Sequence, residues 1–128
     1  MKEWNDVDII DVVTNMTAKN YIDRVTELAE ELSKDYKEQY EAMEDFARWN
    51  LPDETGLIWI DYEYIIRSDT LRELLGNEKV SILVEILDNF DHAFESQPDV
   101  WTHQAMQTNE FWSKQRNLAK RFLALLKA

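Results

Sequence analysis

The segment Leu57-Ile58-Trp59-Ile60-Asp61-Tyr62-Glu63-Tyr64-Ile65-Ile66 decides how the rest of the chain is read. Taken as a strand, it sets Trp59, Asp61 and Glu63 on one face and Ile58, Ile60 and Tyr62 on the other. Taken as a helix, it gathers Trp59, Tyr62 and Ile66 on one side and leaves Tyr64 outside. A strand needs a pairing partner, and no second convincing strand occurs in the sequence, so helix is the assignment here.

The flanking sequence agrees. The chain has only two glycines and two prolines, Gly56, Gly76, Pro52 and Pro98, fewer than the turns of a strand-rich domain require. Apolar residues recur at spacings of three and four almost throughout, which predicts an all-α fold: a single compact bundle of five to seven helices with one long N-terminal helix, spanning residues 1–128 as one domain. Residues 6–16, with Val7, Ile9, Ile10, Val12 and Val13, read as a short helix. Residues 18–49 read as the long one, with Tyr21, Val25, Leu28, Leu32, Tyr36, Met43 and Phe46 on its core side and room for a kink near Ser33. Pro52-Asp53-Glu54-Thr55-Gly56 reads as a turn. Ser68 or Asp69 is placed to cap a short helix that Gly76 ends. Asn77 is expected to cap a helix to about Glu95, apolar over most of its girth and therefore central. Pro98 suits the first turn of a short helix carrying Val100 and Trp101. The last helix starts at Thr108 or Asn109, with Phe111, Trp112, Gln115, Leu118, Phe122, Leu125 and Leu126 as its seam.

The 128 residues carry a net charge of −12. That argues against direct nucleic-acid binding, which requires cations to displace phosphate counterions, and against anionic membrane surfaces. It favours a basic partner. The charge is polarised. Residues 1–66 hold 17 acids against 6 bases, residues 67–99 hold 8 against 3, and residues 100–128 hold one acid, Glu110, against five bases. There is no cysteine, hence no disulfide framework and no thiolate chemistry. No apolar run is long enough to span a membrane and none resembles a signal peptide, so a cytoplasmic location is expected.

No motif names a reaction. Glu85, Asp88, His92 and Glu95 share a helical face, but Asn89 stands three before His92 where a carboxylate metal bundle carries Glu. A solvated acidic face, with His92 stabilised by Asp88 one turn away, is the better reading of these residues. The serines lack a nucleophile-elbow signature and the glycines are too few for a phosphate loop. No enzyme, metal or cofactor is expected.

Two patterns point to binding. On the long helix Asp23, Glu27, Glu30, Glu38, Glu41 and Asp45 fall opposite the apolar stripe, with Lys34 the one base in the row. Over some 22 residues this makes an acidic ridge about 33 Å long. An ordinary solvated helix face is the competing reading, although such faces usually intersperse lysine. The second pattern is Asp53, Glu54, Trp59, Asp61, Tyr62, Glu63, Tyr64 and Asp69, where acids alternate with large aromatics. Tyr and Trp dominate interface hot spots, and carboxylates beside them suit Lys or Arg of a partner. The competing reading makes Trp59 and one tyrosine core and leaves Asp61 and Glu63 merely solvated.

The ridge from Asp23 to Asp45 and the cluster Asp61-Tyr62-Glu63-Tyr64 are similar to features of bacterial immunity proteins, the small acidic inhibitors of the colicin and contact-dependent growth inhibition systems. Helical nuclease immunity proteins present Tyr beside Asp and Glu to a basic toxin. The chain is longer than the four-helix colicin members, so the resemblance carries over no residue beyond this local pattern. It implies an immunity protein that covers the nucleic-acid-binding active site of a cognate basic nuclease toxin domain. A non-enzymatic helical adaptor, or a nucleic-acid mimic that regulates a basic protein, fits the same charge pattern.

Overall fold

The computed structural model describes the backbone of residues 6–128 and the side chains of residues 18–128. The described residues are all-α and contain no strand. Eight α-helices are present among them, more than the five to seven expected: α1 (Asp6–Ser33), α2 (Tyr36–Ala42), α3 (Leu51–Asp61), α4 (Glu63–Ile66), α5 (Asp69–Leu75), α6 (Asn77–Ser96), α7 (His103–Thr108) and α8 (Glu110–Lys127). Two 3-10 turns, Asp45–Asn50 and Pro98–Val100, join them.

The long N-terminal helix is displaced from its expected bounds. Residues 6–16 belong to it, and it ends at Ser33 instead of running to residue 49. The faces of residues 6–16 lie outside the described side chains. Local hydrogen bonding explains the stop. The Ser33 hydroxyl turns back to the Glu30 carbonyl (2.7 Å). Asp35 then caps α2, its carboxylate accepting the Glu38 N–H (2.9 Å). The Gln39 side-chain amide donates to the Glu31 and Leu32 carbonyls, each at 3.3 Å, and so occupies acceptors that a helix end leaves open.

The expected turn at residues 52–56 is also helical. Pro52 sits in the first turn of α3, where its missing N–H costs nothing. Gly56 is the contact point with the Trp101 ring: a Cβ there would stand 2.6 Å from Trp101 Cη2. The segment from Leu57 is helical too, bent at Tyr62 between α3 and α4. The capping of α5 by Ser68 matches expectation, the hydroxyl accepting the Leu71 N–H (3.1 Å), and Gly76 ends it with φ 87°. Asn77 does not cap α6; Gly76 occupies that position, without a side-chain bond. Asn109 does cap α8, accepting the Phe111 N–H (2.8 Å).

The core lies between α1, α6 and α8. From α6, Val80, Ile82, Leu83, Ile86, Leu87, Phe90 and Ala93 are buried, which fits the central place its composition implies. Phe90 is the hub of an aromatic cluster with Trp59, Trp101, Phe111 and Trp112, centroids 5.6 to 6.3 Å away. Two of the indole N–H groups find carbonyls: Trp112 donates to that of Val100 (2.7 Å) and Trp101 to that of Ala93 (3.2 Å). Buried Gln115 donates to the Ile86 carbonyl (3.0 Å) and accepts from Asn89 (2.9 Å).

Candidate protein-binding groove

The C-terminal half of α1, α2 and α3 enclose a groove of about 480 Å³. Leu28, Leu32, Leu51 and Trp59 form its buried floor, with Met43 and Tyr62 half-buried at the sides. Glu27 and Glu31 stand on the α1 wall with Arg24; Glu54 and Asp61 stand on the α3 wall with exposed Leu57 and Ile58. The groove thus joins the two acidic patterns of the sequence at one place. Glu27 of the ridge meets Glu54, Trp59, Asp61 and Tyr62 of the aromatic–acid run.

The other expected contact residues are distributed differently. Asp23, Glu30, Glu38, Glu41 and Asp45 are all exposed, yet they do not form one straight ridge. The chain turns after Ser33 and again after Ala42, so the first two lie on α1, the next two on α2 and Asp45 on the 3-10 turn. Trp59 is 1% exposed and packs 6.3 Å from Phe90, so it is core and offers no contact surface. Trp59, Tyr62 and Ile66 do share the inward face, and Tyr64, at 65% exposure, is the outward one. Glu63 and Asp69 carry cations of their own: Arg67 donates from Nε to Glu63 (2.8 Å) and Arg72 from Nη1 to Asp69 (3.4 Å). Arg67 also reaches Asp88 from the side of α6.

Ion pairing separates the two walls. On α1, Glu27 pairs with Arg24 (3.3 Å) and Glu31 with Lys34 (2.7 Å), both exposed local pairs worth little. On α3, Asp53, Glu54 and Asp61 make no ion pair among the described residues, and neither do Asp23, Glu30, Glu38 and Glu41. Burial, with Glu54 beside it, pushes the Asp53 carboxyl above its ordinary value. Among the described residues the basic last helix makes no ion pair with these acids: Lys114 approaches Glu85 at 3.9 Å, and Arg116 turns inward to Gln39 and the Met106 carbonyl.

The exposed aromatics of the 3-10 turn were hidden by the sequence pattern. Phe46, expected in the core, is 79% exposed, and Trp49 is 76% exposed. The helix stop at Ser33 resets the phase of the apolar spacing, so Phe46 no longer continues the stripe of Leu28 and Leu32; the Asp35 cap is the signal that marks this. Next to this turn Tyr36 donates to His103 Nδ1 (2.7 Å), and His103 Nε2–H donates to the Trp49 carbonyl (2.9 Å). Arg48 lies over the Tyr40 ring, 5.2 Å from its centroid, and donates to the carbonyls of Tyr40, Glu41 and Met43. Arg48 is therefore bound internally.

Among the described residues no three His, Asp or Glu side chains converge as metal ligands, and no helix is long and apolar enough to cross a membrane. No family model, curated protein or solved structure matches the chain.

Proposed function

We propose that this chain is a non-enzymatic immunity protein that binds and neutralises a basic nuclease toxin domain by covering the surface that grips nucleic acid. The observation that carries this reading is the groove wall on α3, where Glu54 and Asp61 flank exposed apolar side chains and make no ion pair among the described residues. Free carboxylates there can pair with Lys and Arg of a partner, and the net charge of −12 steers such a partner in. Exposed Leu57 and Ile58 give the complex apolar area to bury, which slows release. A toxin whose cationic cleft is so occupied cannot admit substrate phosphates.

Co-expression of the chain with the gene of a cognate basic nuclease toxin tests the proposal. Rescue of growth by the native chain, and its loss in the E54K/D61K variant expressed at equal level, is the expected result. Growth arrest with both chains, or full rescue by both, contradicts it.

A further inference from the structure

The outward face of α3 reads Glu54, Leu57, Ile58, Asp61: positions i, i+3, i+4 and i+7, all exposed and all lining the groove. Leu57 is 42% and Ile58 45% exposed. This spacing is that of a helix-packing stripe, apolar at the centre and acidic at both ends, and no helix among the described residues covers it.

We propose that the groove takes one amphipathic basic helix of the partner. This rests on the immunity reading and adds the form of the segment recognised. The two carboxylates are separated along the α3 axis by about 10.5 Å, two helical turns. A partner helix aligned with α3 meets them with Lys or Arg at i and i+7 and sets apolar residues at i+3 and i+4 against Leu57 and Ile58, above the Leu28–Leu32 floor. Charge complementarity orients it toward the α3 wall, because the α1 carboxylates already hold Arg24 and Lys34. The groove is poorly suited to a small polar ligand. Its one buried polar side chain, Gln39, spends its amide on Glu31 and Leu32 and its carbonyl on Arg116, and the Thr55 hydroxyl is bonded to Leu51.

The test uses two synthetic helical peptides of identical composition, titrated against the whole chain by fluorescence anisotropy. One carries Lys at i and i+7 with Leu at i+3 and i+4; in the other the same residues are scattered around the helix. The expected result is at least about tenfold tighter binding of the ordered peptide. That preference should disappear in L57S/I58S, whose exposed positions leave the circular dichroism spectrum and the melting temperature near native. Equal binding of both peptides overturns the helix proposal and leaves electrostatic capture standing. Binding of neither overturns the helix proposal, while retained rescue in the toxin co-expression assay keeps the immunity reading separate from it.

Discussion

Arg116 on α8 donates a hydrogen bond from Nη2 to Gln39 Oε1 on α2 at 2.9 Å, and through Gln39 the last helix holds the end of the first. Gln39 passes the connection on, since its amide bonds the last carbonyls of α1. The same guanidinium donates to the Met106 carbonyl (2.7 Å). The half-buried charge is held below its ordinary pKa by burial, with Asp35 opposing that shift. This chain of bonds fixes where α2 sits, and α2 is one side of the groove.

Replacing Gln39 by Ala strips a partner from Arg116 and from two helix-end carbonyls at once. The expected loss is about 1–3 kcal/mol, the usual cost of stranding buried polar groups. Urea unfolding of Q39A, R116M and the double variant measures it. The double variant should lose less than the two single losses added together, because both remove the same bond.

Gly56→Ala is a steric test of the α3–Trp101 contact. In an open helix the change gains up to about 1 kcal/mol from propensity. Here the added Cβ would stand 2.6 and 2.7 Å from two Trp101 ring carbons. The ring cannot swing away, as it is stacked on Phe94 at 4.0 Å and its N–H is bonded to Ala93. Overpacking of this kind costs about 1–3 kcal/mol, so a net loss of stability is expected, read as a lower denaturation midpoint. An unchanged or raised midpoint would show that Trp101 is loosely held.

The acidic side of α4 and α6 has a pH signature. Burial pushes the Asp91 carboxyl above its ordinary value of 3.8, and Glu63 adds to the shift, while Arg67 opposes it. A raised carboxylate pKa means that the folded state penalises the ionised form. The penalty is absent below the unfolded value and fully present above the folded one, so this group's contribution to stability falls as pH rises from 3.8 through the raised value. Asp91→Asn removes the ionisation. Its melting temperature should exceed that of the native chain at about pH 7 and the gap should close near pH 3, below the unfolded carboxylate value.

Much of the fold was legible in local chemistry. Ser68 and Gly76 mark the ends of α5 because cap geometry depends on a few adjacent residues. The inward face of Trp59, Tyr62 and Ile66 follows from helical spacing alone. Pro52 and Gly56 misled for a physical reason: both residues punctuate turns, yet Pro52 is harmless in a first helical turn and Gly56 answers to Trp101, distant in sequence. Phe46 misled because a run of apolar residues in phase cannot reveal that the chain bends after Ser33. The candidate site was legible as residue types, Glu27 and the Glu54–Tyr62 run, but not as a place. Leu57, Ile58 and Met43 join it only once α2 folds back beside α3.

The proposed function requires Glu54 and Asp61 to act as free negative charge toward a basic protein. Stopped-flow association with a cognate basic nuclease toxin domain, measured across ionic strength for the native chain and for E54K/D61K, tests this most directly. Exposed charge changes of this kind alter stability by within about 0.5 kcal/mol, so both chains should melt alike. The expected result is a native rate that falls steeply with salt and a rate at least about tenfold lower in the variant at low salt. A native rate indifferent to salt, or a variant that associates as fast as the native chain, would contradict it.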